Sequence, residues 1–171
     1  MLQELITSKT RVHLLFMFFL NQENVSYLRE IAHVLNESTN SLRQELIKLE
    51  DLHLLVSFKL GNKKFYRANI SHTFFPEIRN LLLKEIGFDS IKLLLYRDIL
   101  DLSEIYVIGS YAQGINSNII DLLLIGQQLD NNQISTVIRE VELIVKKKIR
   151  FLILKNNEFN KFFGHSKMFK I

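Results

Sequence analysis

The sequence predicts an α+β protein with a helical first half that ends in a β-hairpin and a second half that alternates helices with short strands. Leucines at helical spacing between residues 28 and 52 precede two strand-like runs around Gly61-Asn62. The later apolar runs are short and are separated by helical stretches. The only proline, Pro76, follows a polar stretch and favours the start of a helix. We therefore predict two units, residues 1–75 and 76–171.

Composition narrows the class of protein. The 171 residues include 22 Lys and Arg against 18 Asp and Glu, 47% hydrophobic residues and no cysteine. A chain this apolar can bury a core, which excludes wholesale disorder, and the lack of cysteine excludes disulfides and thiolate zinc sites. The apolar run from Val12 to Leu20 is too short to cross a bilayer, which needs about 20 residues. We expect a buried helix there and a cytoplasmic protein without a membrane segment.

The first half is predicted to contain three helices and a hairpin. Thr7 or Ser8 can cap a helix that runs to about Leu20. Two further helices each have an apolar stripe, formed by Leu28, Ile31, Ala32 and Leu35 in one and by Leu42, Leu46, Leu49 and Leu52 in the other. Strand-like runs over residues 54–60 and 63–67 flank a Gly-Asn turn, which is typical of a β-hairpin.

The second half is predicted to alternate between helix and strand. Helices are expected from Pro76 to Ile86, from Ser90 to Leu100, from a cap at Asn131 or Asn132 to about Lys147, and from Asn157 to Phe163. Short buried strands are expected over residues 105–108, 121–125 and 149–154. Together these elements predict a short mixed β-sheet with helices packed on one side.

The order of elements in the first half matches the plan of a winged helix-turn-helix. The run Tyr27-Leu28-Arg29-Glu30-Ile31-Ala32, with Ser38 and the leucines that follow it, resembles the arsenic-repressor-like winged-helix regulators over residues 5–70. His53 departs from that family's pattern, which usually has glycine where the backbone turns left-handed after the recognition helix. The resemblance implies an N-terminal domain that binds double-stranded DNA, and such regulators commonly act as homodimers.

Polar residues between the leucines form the predicted DNA-reading face. Asn and Gln pair with adenine edges and Arg with guanine, while the helix start and a basic hairpin tip suit phosphate contacts. The predicted DNA-binding residues are Thr39, Asn40, Ser41, Arg43, Gln44 and Lys48 on the helix and Lys59, Asn62, Lys63 and Lys64 on the hairpin. Glu37 and Glu45 lie near this face and oppose binding. Any solvated helix shows a similar pattern of polar residues. A protein-docking module without nucleic acid is therefore an alternative to a DNA-binding domain.

Residues 105–126 combine an apolar strand, a glycine-containing turn and a second apolar strand that carries an acid. The residues in register with a known signature are Gly109, Ser110, Ala112, Gly114, Ser117, Asp121 and Gly126. In these residues the region resembles the minimal nucleotidyltransferase-like domains. The resemblance implies a small nucleotidyltransferase-like domain over residues 76–171.

The catalytic pattern of that family is broken in this chain. Two carboxylates spaced two apart on a strand, with a third on a neighbouring strand, would hold the Mg²⁺ for phosphoryl transfer. Ile119 stands at the first position, Asp121 keeps the second, and Arg150 is the only charge on the third strand. We therefore expect a degenerate domain with a vestigial Asp121, no catalytic residue and no metal. Mg²⁺ is expected only if the transferase is active.

The degenerate domain keeps several possible roles. Gly109, Ser110, Ser117, Asp121 and Arg150 are candidate nucleotide-binding residues, although a tight strand-to-helix turn explains the glycines without any ligand. The apolar run from Ile119 to Ile125 is a candidate dimerisation platform, and the helices from Pro76 to Leu100 are a candidate dimer interface. The leading hypothesis is a DNA-binding transcriptional regulator that needs no cofactor. The alternative is an active nucleotidyltransferase that modifies a protein or a small molecule.

Overall fold

The computed structural model describes residue 4, residues 6–163 and residues 167–171. The chain divides into two compact units, Met1–Leu82 with Gln113–Asn116, and Leu83–Ala112 with Ser117–Ile171. The boundary between the units, after Leu82, falls within the helix Phe75–Ile86. The domain boundary between residues 75 and 76 therefore stays a prediction.

In the first unit, helix α1 (Lys9–Leu15), whose cap is Ser8, continues as a π-helical segment (Phe16–Leu20). Strand β1 (Ser26–Tyr27), helix α2 (Leu28–Leu35) and helix α3 (Thr39–Asp51) follow. Strands β2 (Leu55–Leu60) and β3 (Lys63–Ala68) form the hairpin, and helix α4 (Phe75–Ile86) comes next. The predicted helices and hairpin are confirmed.

The hairpin belongs to a three-stranded antiparallel sheet in the order β1-β3-β2. The sequence did not indicate β1, because a two-residue strand has no periodicity to detect. His53 has the left-handed backbone expected after α3, with φ 55°. Leu52 is 61% exposed, so its expected place in the buried stripe of α3 is wrong: the helix ends at Asp51 and the chain turns away.

The core of the first unit surrounds the π-helical segment, all five of whose residues are buried. Phe19 of this segment stacks on Phe75 of α4, with ring centroids 5.1 Å apart. A Cβ on Gly114, which has φ 79°, would lie 2.0 Å from Cα of Met17. This close backbone approach, together with the positive φ, requires glycine at position 114 without any ligand.

The second unit contains helix α5 (Phe88–Asp98), strand β4 (Leu102–Ile108), the one-turn helix α6 (Gly109–Ala112) and strand β5 (Ile119–Gly126). Helix α7 (Asn131–Val145), strand β6 (Lys148–Leu154), helix α8 (Asn156–Phe163) and strand β7 (Phe169–Lys170) complete it. The sheet order is β6-β5-β4-β7, with β5 parallel to β6 and antiparallel to β4. The predicted mixed sheet and α+β class are confirmed. The cap of α7 is Asp130, so the expected caps Asn131 and Asn132 are wrong.

Helices cover both faces of this sheet. Val107 pairs with Phe169 on one face, where Phe88 of α5 packs edge-on against Phe169 at 5.8 Å. The neighbouring Tyr106 points to the other face and stacks on Phe159 of α8 at 4.9 Å. The expectation of helices on one side is therefore wrong, because the short α8 covers part of the second face.

Strand β5 lies inside the sheet with β4 and β6 on its two sides. Ile120 and all residues from Leu122 to Gly126 are buried. Most of the apolar run from Ile119 to Ile125 therefore forms core and does not support a dimerisation platform, and dimerisation through this domain stays a prediction. In the part of the chain that the structure describes, no helix has the length and apolarity needed to cross a membrane.

Candidate functional site

Helix α3 separates an apolar side from a polar side. Leu42, Leu46 and Leu49 are buried in the first unit. On the opposite side five predicted DNA-binding residues are exposed: Thr39, Asn40, Arg43, Gln44 and Lys48. Ser41 is half-buried, and its Oγ lies 3.0 Å from Oγ1 of Thr10, so it faces α1 and not the exposed side.

Two carboxylates expected to oppose DNA binding are directed at α1. Glu45 is 7% exposed and accepts hydrogen bonds from Nε of Arg11 at 2.8 Å and Nζ of Lys48 at 3.0 Å. Desolvation by burial raises the pKa of Glu45, but the bonds from Arg11 and Lys48 outweigh it and hold this pKa below its ordinary value. Glu37 accepts bonds from Thr10 and from Nδ1 of His13. Both carboxylates are therefore used within the fold.

The hairpin tip exposes its basic residues unevenly. Lys59, Asn62, Lys63 and Lys64 are all exposed. Lys64 donates to Oε2 of Glu50 at 2.7 Å, and this bond lowers the pKa of Glu50. Nζ of Lys63 lies 4.1 Å from the ring centroid of Tyr27 and forms no ion pair within the described residues. The ammonium group of Lys63 is therefore more available to a phosphate than that of Lys64.

A groove of about 620 Å³ lies between α3 and the hairpin. Cations from three elements line it: Arg29 of α2, Arg43 of α3 and Lys63 of β3. None of the three has an ion pair in the described ranges of the chain. Sequence reasoning missed five of the lining residues, Tyr27, Leu28, Arg29, Ile47 and Tyr66. Arg29 was visible only as a basic residue in the first turn of α2, which does not show that it faces the hairpin.

The glycine turn of the second unit brings three predicted residues together. Gly109 has φ 67°, and a Cβ there would lie 2.5 Å from Oδ2 of Asp121. Oδ1 of Asp121 accepts a hydrogen bond from Nε of Arg150 at 2.6 Å, across neighbouring positions of β5 and β6. Ser110 is half-buried in α6. Ser117 accepts a hydrogen bond from the Ile119 amide at its Oγ, which fixes the start of β5.

These residues do not fit the Mg²⁺ that the nucleotidyltransferase resemblance implies. Ile119 is 37% exposed and cannot ligate a metal, and Arg150 places a cation 2.6 Å from the single carboxylate of Asp121. Among the described residues, no group of three or more His, Cys, Asp or Glu side chains could hold a metal ion. A two-metal clamp for phosphoryl transfer therefore lacks its ligands here.

The first unit is a winged helix-turn-helix, and in the second unit a glycine turn and a one-turn helix lie between two antiparallel strands. No protein-family model and no curated protein matches the chain. Among solved structures it is similar to reduced HlyU from Vibrio cholerae, with 24% identity and a TM-score of 0.39 over 48% of this chain and 82% of that one. An apo ZitR mutant from Lactococcus lactis shows 18% identity and a TM-score of 0.40 over 55% of this chain and 70% of that one.

A mutant of the MntA–HpeT toxin–antitoxin shows 26% identity and a TM-score of 0.36, over 39% of this chain and 56% of that one. Each neighbour is similar to only part of this chain.

Proposed function

We propose that the chain is a DNA-binding transcriptional regulator whose second unit keeps a nucleotidyltransferase-like turn without transferase activity. The observation that carries this proposal is the convergence of Arg29, Arg43 and Lys63 on one groove beside the exposed polar side of α3. Guanidinium and ammonium groups without carboxylate partners are the donors that phosphate oxygens require. A duplex backbone in this groove would leave α3 to face base edges.

The roles within this surface follow from chemistry and exposure. Arg43 suits a guanine edge and Gln44 an adenine edge, while Thr39 and Asn40 at the start of α3 suit phosphate or base edges. Lys59, Asn62 and Lys63 on the hairpin suit the backbone of the flanking groove. Lys48 and Lys64 are each held by a carboxylate of α3 and contribute less.

The test measures binding of the full chain to DNA upstream of its own gene and to duplexes selected from a random pool, over a range of salt concentrations. Arg43→Ala and Gln44→Ala should relax sequence preference, since each good base contact contributes about 1–3 kcal/mol of discrimination. Lys63→Ala should weaken all duplexes alike and flatten the salt slope by about one unit. The matched control is Lys155→Gln, an exposed lysine just after β6 in the second unit and outside the proposed dimer interface. Equal affinity for DNA in the wild type and all variants would contradict the proposed DNA-binding regulator and favour a protein-docking module.

We also infer that the regulator is a homodimer, because two half-sites of a palindromic operator match a two-fold axis. The helices from Pro76 to Leu100 are the proposed interface, where Leu93 and Leu100 are 68% and 80% exposed. Light scattering at micromolar concentration should give about twice the monomer mass of 20.1 kDa. A monomer at every accessible concentration would contradict the dimer.

The second unit is proposed to lack metal-dependent transfer and to retain at most a nucleotide-binding turn at Gly109, Ser110 and Ser117. The contact between Asp121 and Arg150 supports the loss of transfer, because it neutralises the one remaining carboxylate. A nucleotide phosphate would have to compete with Asp121 for Arg150. Mass spectrometry of the intact protein with bound nucleotide tests this point.

A further inference from the structure

A second basic groove, also about 620 Å³, lies in the second unit at the C-terminal end of α7. Its charged lining residues are Arg139, Glu142, Lys146, Lys147 and Lys148. Four cations therefore surround one carboxylate. Gly109, Ser110, Ser117 and Asp121 are not among the lining residues, so the groove is a separate surface that adjoins the nucleotidyltransferase-like turn where Asn118 lines it.

The single carboxylate of this groove is already satisfied. Oε1 of Glu142 accepts a hydrogen bond from the amide of Ile149 at 2.8 Å, and Oε2 accepts one from Nζ of Lys148 at 2.9 Å. The bond from the Ile149 amide and then that from Lys148 lower the pKa of Glu142, so it stays ionised. Glu142 thus neutralises Lys148 and leaves three cations in excess.

Those three cations are placed differently. Nζ of Lys147 donates to the carbonyl of Ser117 at 2.9 Å and lies 5.6 Å from the ring centroid of Tyr111, so its position is fixed. Arg139 and Lys146 are exposed, and neither forms an ion pair within the described part of the chain. One fixed and two exposed cations therefore face a groove with no unpaired acid in its lining.

The helix dipole does not account for this arrangement. Cations in the last turn stabilise a helix end, which explains one lysine. Arg139 lies nearly two turns before the end of α7, and Lys147 lies beyond the helix. Lys146 has left-handed backbone with φ 54°, where glycine or asparagine is favoured and other residues are strained. The chain thus places a cation at the groove in spite of a backbone penalty.

We propose that this groove binds a ligand with several linked phosphate groups. Its volume exceeds that of one phosphate ion and lies in the range of small-molecule sites. Three cations without acid partners match the charge of an oligophosphate, and the fixed Lys147 supplies a preorganised donor. Such phosphates occur in nucleoside triphosphates and in the nucleic-acid backbone. The site goes beyond DNA reading by the first unit, since it uses neither α3 nor the hairpin.

The test titrates the full chain with inorganic tripolyphosphate, with ATP and with a short DNA duplex. The double variant Arg139→Gln with Lys146→Gly removes both exposed cations, and glycine at position 146 relieves the left-handed backbone. Tripolyphosphate binding should weaken about tenfold for each cation lost, with no fall in melting temperature from Lys146→Gly. Lys155→Gln, the matched control outside the groove, should bind like the wild type.

The three probes distinguish a free oligophosphate ligand from the phosphates of a nucleic-acid backbone. Equal losses for ATP and tripolyphosphate identify a free oligophosphate, and a loss for the duplex alone identifies a nucleic-acid backbone. The double variant should lose the same amount of tripolyphosphate binding in a Lys63→Ala background as in the wild-type background, so a failure of DNA reading and a failure of this site give different results. Absence of binding by all three probes, or equal binding by the wild type and the double variant, would overturn the proposal.

Discussion

Replacement of Glu45 by glutamine tests whether its carboxylate holds α3 against α1. Glutamine keeps the shape of the side chain but loses the charge that receives bonds from Arg11 at 2.8 Å and Lys48 at 3.0 Å. The side chains of Arg11 and Lys48 are 37% and 54% exposed, so both cations regain water in the variant. We therefore expect a loss of about 1–2 kcal/mol in the free energy of unfolding, below the 3–5 kcal/mol of a broken, fully buried pair.

The effect of Glu45→Gln should depend on pH in a defined direction. The pKa of Glu45 is lower in the folded chain than its ordinary value of 4.5. A carboxyl with a lowered folded pKa adds stability above its unfolded pKa, and that stability is lost as pH falls through the folded pKa. The difference between wild type and variant should therefore be complete at neutral pH and shrink below about pH 4.5.

Urea unfolding followed by far-ultraviolet circular dichroism measures this difference at neutral and acidic pH. Glu30→Gln is the control, because Glu30 of α2 forms no ion pair within the described residues. Its effect should stay within about 0.5 kcal/mol. A Glu45→Gln effect no larger than that of the control, or one that grows on acidification, would refute the assigned role.

Three further predictions concern the backbone and the broken site. His53→Gly should raise the free energy of unfolding by about 0.5–1 kcal/mol in the same urea assay, because glycine relieves the left-handed backbone. Gly109→Ala should cost more than about 2 kcal/mol, since its Cβ would meet Asp121, whereas Gly61→Ala has open space and should cost about 1 kcal/mol; equal costs would contradict this. No labelled AMP, GMP or UMP should be transferred with Mg²⁺ or Mn²⁺. Label transfer that is lost in Asp121→Asn would establish the alternative enzyme.

The fold was largely predictable because its strongest signals are local. Leucine spacing defines α2 and α3, and the Gly61-Asn62 turn defines the hairpin, since both depend on residues close in sequence. Strand β7 was missed because two residues carry no period, and its place is set by pairing with Tyr106 and Val107, far away in the chain. The π-helical form of Phe16–Leu20 has the same apolar composition as an ordinary buried helix.

The residue types of the candidate sites were predictable from the sequence, but the contacts among those residues were not. The polar residues of α3 could be named from their spacing, but not that Ser41 and Glu45 face α1. The missing acid at Ile119 is visible in the sequence. The contact of Asp121 with Arg150 depends on the parallel register of β5 and β6, which no local pattern specifies. The groove beside α7 likewise depends on the hydrogen bonds that Glu142 forms after folding.

The polar contacts beneath α3 determine the angular setting of that helix about its own axis. Leucine packing is non-directional and tolerates rotation, whereas a hydrogen bond of 2.8 Å tolerates displacements of only a few tenths of an ångström. Side-chain tips on the outer side lie roughly 6 Å from the axis, so a roll of a few tens of degrees moves them by several ångströms. If α3 reads a DNA groove, the base that Gln44 meets depends on Arg11 and Glu45, two residues directed away from the exposed side. The preference of α3 for particular DNA sequences then depends in part on side-chain contacts inside the first unit.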